Sequence, residues 1–370
     1  KILKSIMVKK ISKENLKQYR DKIDIIDNKL LKLMQARADL ALKIGKIKSK
    51  IDPKSSLYKP DREADVLRKI LKDNQGNISD KKVKTIFREL IAACLSLEEE
   101  IKIAYLGPEG THSEAALIDK FGSSASRIAS TSIEDVFRKI ESGEVSLGLV
   151  PVENSSEGVI NSTLNCLADH NLKICGETYL DIHHQLASAN KINLSQAKVV
   201  ASHPQAIGQC SKWIEANLGN IERKVMNSSA EAAKYAKKNK SALCIVNNLA
   251  IDKYKLFCQE KNIEDALNNK TRFLIIGNDL IGKTARDKTS FLIQTKNEPG
   301  SLLKILKPFE KKKINLSKIE TRPSRTSSKS HDFFIDTEGH QNDAKLKSSI
   351  KEIQSLGASL RILGSYPEDL

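Results

Sequence analysis

Arg37 lies on the apolar stripe of a predicted helix, at a position where the pattern would place a leucine. An arginine on a buried stripe needs an anion to balance its charge. Lys48 follows eleven residues later, and at ~100° per residue it lies on nearly the same helix face, ~16 Å away. Two long side chains that lean toward each other could hold one small dianion. The alternative is a structural ion pair, either with Asp39 or with an acid of a partner chain.

Arg20 is a third cation near the same stripe. It lies ~25 Å from Arg37 along a straight helix, so it cannot reach the same ligand within one chain. It can do so only from an antiparallel partner chain. The three cations therefore predict a dimer.

Thr271 stands with Arg272 at the mouth of the apolar run "FLII", which predicts a buried strand. A threonine hydroxyl is a weak acid and a weaker base, so its place at a strand mouth raises the question of a chemical role. The plain interpretation is that Thr and Arg simply begin a β-strand.

Polar turns follow other predicted strands between residues 101 and 280. "GPEGTHS", "VENSSEG" and "SHPQAIGQC" each come after an apolar run, and "NSSAEAAKYAKKN" begins a helix at a Ser-Ser cap. In an open α/β sheet, ligands bind at the carboxyl ends of the strands, where helix starts leave N–H groups free. Each turn alone is weak evidence, because caps and turns use the same residue types. Together they predict a cleft.

Three segments with different periodicities must position these groups. Residues 12–50 carry an apolar heptad stripe, which predicts one long helix in need of a partner helix. The segment "IDPKSS" ends it, Pro60 opens a second helix and Ser79 caps a third. Residues 101–280 alternate strands and helices. After the linker "GKTARDKT", the order strand, helix, strand, strand, helix, strand predicts a ferredoxin-like domain without a catalytic cluster.

Composition limits the class of protein. A chain of 370 residues predicts two or three domains. Its net charge of +16 raises nucleic acid as a partner, but residues 1–100 alone hold 25 Lys+Arg against 15 Asp+Glu, mixed along predicted helices. The chain has few aromatic residues, and no zinc-finger or RNP-type motif occurs. A lysine-rich surface is the preferred interpretation, and it would suit small anionic substrates.

The sequence also bears on compartment and metals. No apolar run approaches the ~18 residues of a membrane span, and "KILKSIMVKK" lacks the apolar core of a signal peptide. We therefore expect a cytoplasmic protein, with Met7 as a possible natural start. The six cysteines show no CxxC, and no histidine motif has metal-binding spacing. They predict reduced thiols.

An ordered set of motifs resembles the bifunctional chorismate mutase–prephenate dehydratases of phenylalanine biosynthesis. The dehydratase motifs are "YLGPEGTHS", "VPVENSSEG", "SHPQAIGQC" and "TRF", followed by "EPGSLL" and "IETRP", the phenylalanine signatures of an ACT domain. The resemblance implies a multidomain chain. Residues 1–100 would form an all-α mutase domain that is an intertwined dimer. Residues 101–280 would form a two-lobed, periplasmic-binding-protein-like α/β dehydratase domain, and residues 288–370 an α+β ferredoxin-like ACT domain.

The resemblance assigns roles in the mutase. Chorismate rearranges by a pericyclic step that needs no nucleophile, metal or cofactor, only positioning and stabilisation of charge on the ether oxygen. Arg37 and Arg20 of the partner subunit would hold carboxylates, and Lys48 would donate to the ether oxygen. Other expected site residues are Arg62, Glu63, and Cys94 and Glu98, where other members often carry Ser and Gln. Glu98 is alternatively a solvated acid at a helix end.

It also assigns roles in the dehydratase, which removes CO2 and the ring hydroxyl from prephenate. Thr271 would donate a hydrogen bond or relay a proton to the departing hydroxyl, and Arg272 would bind a carboxylate. Expected lining residues are Asn154, Ser155, Ser202, His203 and Gln205, with Thr111 and Ser113 as weaker candidates. His184 fits a family histidine or a packed core histidine.

For the tail, the resemblance implies feedback inhibition by phenylalanine. The expected allosteric residues are Pro299, Gly300, Ser301, Leu302, Leu303, Glu320, Thr321 and Arg322; an ordinary helix start is the alternative. Two other functions stay open at this point. The dehydratase could prefer arogenate, or the chain could be a non-enzymatic amino-acid sensor.

Overall fold

The structure is a computed structural model that describes residues 2–51, 58–98, 100–266, 268–324 and 330–369. The predicted helix end "IDPKSS" lies, from residue 52 onward, outside the described residues. The described part of the chain forms three regions. The first contains helices alone, the second contains two sheets, and the third contains one sheet. The structure confirms the predicted fold class of a multidomain protein with helical, α/β and α+β parts.

The helical region contains α1 (Ile2–Ile51), α2 (Pro60–Asp73) and α3 (Asp80–Leu95). Pro60 occupies the first turn of α2, where its missing N–H costs no hydrogen bond. Ser79 holds the N-cap position of α3, as predicted, but its side chain makes no capping hydrogen bond.

The apolar heptad stripe of α1 is uncovered in the single chain. Its side chains are 50% to 67% exposed, although their spacing is that of a buried seam. They are Leu16, Tyr19, Ile23, Ile26, Leu30, Leu33, Leu40, Ile44 and Ile47. Such a surface is far more apolar than a solvated helix face requires, in keeping with the expectation that this helix needs a partner helix.

The central region has two lobes. The sheet of the first lobe has the order β2-β1-β3-β11-β5, with β4 beside β3, and that of the second has the order β10-β6-β9-β7-β8. The strands are β1 (Lys102–Leu106), β2 (Ser126–Ser130), β3 (Leu147–Asn154), β4 (Gly158–Val159), β5 (Lys173–Asp181), β6 (Gln185–Ser188), β7 (Val199–Ser202), β8 (Glu222–Val225), β9 (Ala242–Val246), β10 (Phe257–Glu260) and β11 (Lys270–Gly277). The helices are α4 (His112–Phe121), α5 (Ile133–Glu141), α6 (Asn161–Asp169), α7 (Pro204–Gln209), α8 (Ser211–Leu218), α9 (Ser229–Lys238) and α10 (Asn248–Tyr254).

The chain passes from the first lobe to the second after β5 and returns after β10, so β11 completes the first sheet. This return places β11 antiparallel between β3 and β5, with Thr271 opposite Asn154 on β3. The first residues of β11 therefore lie where the two lobes meet.

The C-terminal region confirms the predicted βαββαβ order. Its elements are β12 (Asp287–Lys296), α11 (Ser301–Lys311), β13 (Leu316–Pro323), β14 (Ser330–Glu338), α12 (Ala344–Ser355) and β15 (Ser359–Pro367), and the sheet order is β13-β14-β12-β15. One sheet face packs on its own helices through Phe291, Phe309 and Ile353. The opposite face, with Phe334 and Tyr366, joins the core of the first lobe. The sheet is therefore directly attached to the lobe that carries Thr271.

The six cysteines are unpaired, as expected for reduced thiols. No helix among the described residues is both long enough and apolar enough to cross a membrane.

Candidate active sites

A cleft of about 380 Å³ separates the two lobes of the central region. Its polar lining comes from both lobes and consists of Thr111, His112, Ser113, Asn154, Ser162, His184, His203, Gln205, Gln209, Asn227, Ser228, Ser229 and Thr271. None of its described lining residues is Lys, Arg, Asp or Glu. Any anion in this cleft must therefore be bound by neutral donors and helix termini.

Thr271 is buried at the edge of this cleft, and its hydroxyl oxygen is held in place. The Nδ2 of Asn154 donates to Thr271 Oγ1 over 2.8 Å and to Asn269 Oδ1 over 2.9 Å. Asn154 and Thr271 are register partners on β3 and β11, so the backbone fixes their separation. Because the oxygen already accepts a hydrogen bond, the hydroxyl proton remains the group that Thr271 can offer to a ligand in the cleft.

Several helix N-termini line the same cleft, among them those of α4 and α9. Helix α4 starts at His112 with Thr111 in the N-cap position, and α9 starts at Ser229 with the Ser228 hydroxyl accepting from Glu231 N. Each helix start carries roughly half a positive charge through its unsatisfied N–H groups. The cleft can thus hold negative groups although no described cation lines it.

Two histidines lie in contact inside the cleft. The ring centroids of His112 and His184 are 5.6 Å apart in an edge-to-face arrangement. Burial lowers the pKa of His112 to about 3. Burial also lowers the pKa of His184, against the opposing effect of Gln209, whose Oε1 lies 2.8 Å from its Nε2. Both rings are therefore neutral near pH 7.

Arg272 is not among the described lining residues of this cleft, so the structure does not place it where the expected binding of a substrate carboxylate would need it. Successive side chains on a strand point to opposite sheet faces, so Arg272 faces away from the side that Thr271 occupies. Its guanidinium is buried and bonds Glu177 at 2.8 Å, Asp336 at 2.6 Å and the Tyr366 hydroxyl at 3.0 Å. The last two partners belong to the C-terminal region.

Two expected lining serines also lie elsewhere. The Ser155 hydroxyl accepts from Lys270 N over 2.9 Å and thereby ties the turn after β3 to the start of β11. Ser202 is fully buried and donates to the Ile245 carbonyl over 2.7 Å. Both satisfy backbone groups, which is the common alternative use of serine in turns. His203 and Gln205 do line the cleft.

Sequence reasoning missed His112, Gln209 and the Asn227–Ser229 segment as lining residues. Each of them lies inside or next to a polar turn that was predicted from the sequence. The sequence did not indicate which side chains of these turns face the cleft. His184 lines the cleft although it is only 3% exposed. It is therefore both a packed core histidine and a cleft residue.

A second cleft, of about 440 Å³, lies among the three helices of the helical region. It brings together Arg37, Lys48, Arg62, Glu63, Cys94 and Glu98, as the resemblance implies. Arg20 is exposed and is not among the lining residues of this chain. No sequence pattern indicated that Gly45 would contact Glu98.

Glu98 leans on α1 at Gly45. A Cβ on Gly45 would lie only 2.9 Å from Glu98 Oε2 and 3.0 Å from its Cγ, so the glycine is what admits this side chain. Glu98 Oε2 is buried and has no hydrogen-bond partner among the described residues. Burial raises the pKa of Glu98, while Lys48 and Arg37 oppose the shift. The acid is therefore not the solvated helix-end residue of the alternative interpretation.

The two expected phenylalanine-binding segments lie at one end of the C-terminal sheet. Gln294 near the end of β12 and Arg322 near the end of β13 both pair with Asp332. Since β12 and β13 lie on either side of β14, and neighbouring strands are ~4.8 Å apart, the ends of β12 and β13 are ~10 Å apart. Gly300 takes the left-handed conformation, with φ of 81°, directly before α11.

Comparison with known proteins agrees with this arrangement. The chain matches the family "Chorismate mutase type II" over residues 19–99, "Prephenate dehydratase" over 103–280 and "ACT domain" over 289–354. It is 39% identical to a bifunctional chorismate mutase/prephenate dehydratase of Stutzerimonas stutzeri over 96% of this chain and 98% of that protein. The chain belongs to this bifunctional family.

A second relative and a solved structure extend the comparison. The bifunctional chorismate mutase/prephenate dehydratase of Aquifex aeolicus is 39% identical over 96% of this chain and 99% of its own length. The crystal structure of an Arthrobacter aurescens prephenate dehydratase in complex with L-Phe is 29% identical, with a TM-score of 0.67, over 72% of this chain and 90% of that one. Family membership thus covers the whole order of helical, central and C-terminal regions.

Proposed function

We propose that this chain rearranges chorismate to prephenate in the helical cleft and converts prephenate to phenylpyruvate in the inter-lobe cleft. The proposed boundaries are residues 1–100 for the mutase, 101–280 for the dehydratase and 288–370 for a regulatory domain. The observation that carries the proposal is the contrast between the two clefts. One gathers Arg37, Lys48 and Glu98, and the other presents Thr271 without a described cation or acid.

In the mutase, the substrate must fold so that its side chain lies over the ring while the ether C–O bond breaks and a C–C bond forms. Arg37 and Arg62 bind carboxylates and hold the folded form. Negative charge develops on the ether oxygen, and Lys48 donates to it. Glu98, when protonated, donates to the same oxygen from the third-helix side.

The Glu98 assignment predicts a pH dependence. A carboxyl group donates only when protonated, and burial raises the pKa of Glu98, so mutase activity should fall as pH rises through that raised pKa. Glu98→Gln donates at every pH and should flatten that limb. The measurement is a pH–rate profile of chorismate consumption for the full-length wild type and the variant. Coincident profiles would remove Glu98 from the reaction.

We propose that the mutase is an antiparallel homodimer. The exposed stripe of α1 supports this, because nine apolar side chains at coiled-coil spacing have no cover in the single chain. Arg20 supports it independently, since it sits ~25 Å from Arg37 on the same helix and can enter a site only across the dimer.

In the dehydratase, the C–C bond to the ring carboxylate breaks, its electrons enter the ring, and the ring C–O bond breaks on the opposite side. Aromatisation supplies the driving force, so the protein has only to help hydroxide leave as water. Thr271 donates to the departing oxygen while Asn154 holds the threonine oxygen. The starts of α4 and α9 bind the carboxylates in place of Arg272.

The cleft lining bears on the choice between prephenate and arogenate. Arogenate carries an ammonium where prephenate carries a keto group, and none of the described lining residues is an acid that could pair with it. We therefore expect a higher kcat/KM for prephenate when the two are compared at equal concentrations. A higher kcat/KM for arogenate would reverse this choice without affecting the role of Thr271.

We propose that phenylalanine binds the C-terminal region and inhibits the dehydratase. Glu298–Leu303 and Glu320–Arg322 lie at the same sheet end, and the backbone at Gly300 is open to a ligand. Gly300→Val adds a β-branched side chain at a φ of 81°, a strained combination that also fills the approach.

The expected result for Gly300→Val is a weaker phenylalanine affinity, by about tenfold or more, in calorimetry. Gly143→Val is the matched control, because Gly143 has a similar left-handed φ of 75° and open surroundings but lies in the first lobe, away from the C-terminal sheet. Equal losses in both variants would assign the effect to strain rather than to the site. Wild-type protein that binds no phenylalanine would refute the regulatory proposal.

A further inference from the structure

The Asn154–Thr271 pair has two charged residues directly behind it. Glu153 and Arg272 are its chain neighbours, and they are register partners on β3 and β11 just as Asn154 and Thr271 are. Because side chains alternate along a strand, Glu153 and Arg272 point to the sheet face opposite the cleft. That face is the one on which the C-terminal sheet packs.

Both of these residues are ion-paired to the C-terminal region. Glu153 Oε2 accepts from Lys318 Nζ of β13 at 2.5 Å. Arg272 bonds Asp336 of β14 at 2.6 Å and the Tyr366 hydroxyl of β15 at 3.0 Å, and Glu177 holds its Nε. We call these contacts, between Glu153 and Lys318 and from Arg272 to Asp336 and Tyr366, the joint.

The joint has little room to adjust on the Arg272 side. Arg272 is 6% exposed, and Ser290 bonds both Asp336, at 2.6 Å, and the Tyr366 hydroxyl, at 2.8 Å. A guanidinium held by planar, charge-assisted bonds in a buried place has one favoured position. Its Cα is one peptide, ~3.8 Å, from that of Thr271, so the position of the guanidinium constrains the hydroxyl.

The Lys318 side of the joint leads to the proposed phenylalanine segment. Lys318 stands two residues before Glu320 on the same strand, β13. The other end of this strand is also tied to the central region, since Arg322 Nη1 bonds Asn165 Oδ1 of α6 at 2.5 Å and the Asn161 carbonyl at 3.0 Å. A shift of β13 would therefore be carried to Glu153 and to α6.

We propose that Glu153 and Arg272 are positioning residues of the dehydratase, through which the C-terminal sheet sets the geometry of the Asn154–Thr271 pair. The regulatory half of this inference rests on the proposed phenylalanine site. A ligand that moves β13 changes the joint, and the change reaches the hydroxyl donor without any contact between the ligand and the cleft. Arg272 acts on catalysis from behind the strand rather than by touching substrate.

Two kinds of variant separate positioning from mere support of the fold. Arg272→Met would leave the buried Asp336 without its cation and Glu177 with Lys288 alone, at 2.7 Å, and is expected to damage folding. Arg272→Lys keeps the charge but not the planar fork, and Tyr366→Phe removes one oxygen. Lys318→Met breaks a partly exposed pair, which contributes little to stability. Lys312→Met is its matched control, because Lys312 pairs with Glu352 at 2.8 Å within the C-terminal region.

The experiment measures the dehydratase rate of each full-length variant against phenylalanine concentration. Calorimetry without substrate measures the affinity for phenylalanine. The mutase rate of the same sample reports the amount of folded protein. For Lys318→Met we expect the ratio of the uninhibited rate to the rate at saturating phenylalanine to fall about 5- to 30-fold, with calorimetric affinity within about 3-fold of wild type. Lys312→Met should match wild type. For Arg272→Lys we expect kcat to fall about tenfold with KM little changed, and for Tyr366→Phe a smaller fall in the same sense.

Inhibition of Lys318→Met that coincides with the wild type and Lys312→Met would overturn the regulatory part of the inference. Full kcat in Arg272→Lys would overturn its positioning role. If wild-type protein binds no phenylalanine, the proposed regulation fails instead, and the kcat of Arg272→Lys and Tyr366→Phe still decides whether the joint positions Thr271.

Discussion

Thr271→Val is expected to abolish most dehydratase activity, by about 10²- to 10³-fold in kcat, while mutase activity stays at the wild-type rate. Valine keeps the shape of threonine but removes the hydroxyl that Asn154 orients. The leaving hydroxide then has no donor, and the Nδ2 of Asn154 loses an acceptor. The measurement is phenylpyruvate formation from prephenate, with chorismate consumption recorded on the same sample.

Thr271→Ser is the matched control for this prediction. It retains the hydroxyl at the same backbone position and loses only a methyl group, so we expect it to keep activity within about tenfold of wild type. Thr289→Val is a second control, because Thr289 is also a buried threonine, and its hydroxyl bonds the Gly339 carbonyl and Ser365 in the C-terminal region. A Thr271→Val protein that turns prephenate over at a near wild-type rate would remove Thr271 from the mechanism.

Lys48→Met is expected to lower the mutase rate by about 10²- to 10³-fold and to leave the dehydratase untouched. Methionine matches much of the length of lysine but cannot donate to the ether oxygen as its charge develops. Lys43→Met is the control, since Lys43 is an exposed lysine on the same helix and is not among the cleft-lining residues. Equal rates for the two variants would place the ether-oxygen donor elsewhere.

A mixture of Lys48→Met chains with Arg20→Ala chains tests whether each mutase site is shared between two subunits. In a mixed dimer of Lys48→Met and Arg20→Ala chains, one cleft receives both changes and the other receives neither, because Arg20 comes from the partner. Two inactive proteins, unfolded together and refolded at equal amounts, should therefore regain about a quarter of wild-type activity if chains pair at random. No recovery would show that Arg20 and Lys48 serve the same cleft within one chain, or that Arg20 serves none.

The sequence was sufficient for features that depend on local periodicity. The heptad stripe of α1 and the strand–helix order of the tail are repeated patterns over many residues, and the structure contains both. Arg37 and Lys48 of the helical cleft were also predicted, because Arg37 interrupts its stripe and Lys48 lies at a helical spacing from it, whereas Arg62, Glu63, Cys94 and Glu98 came from the family resemblance alone.

Features that depend on contacts between distant segments were not predictable in this way. The "TRF" motif places Thr271 and Arg272 side by side, but which of them faces the cleft depends on how β11 enters its sheet and on what packs behind it. Gly45 is another example, since only the fold brings Glu98 of a different segment against it. Ser79 and Ser202 show the converse error, in which a residue type suited to a role was assigned that role.

Incubation of the full-length chain with chorismate alone, with prephenate and phenylpyruvate followed over time, tests the central claim of two separate sites in one chain most directly. Wild-type protein should consume chorismate and form phenylpyruvate without an added enzyme or cofactor. Thr271→Val should stop at accumulated prephenate, and Lys48→Met should leave chorismate unconsumed yet still convert added prephenate. Loss of both activities from either variant, in protein with an unchanged melting temperature, would contradict the assignment of the two reactions to two clefts.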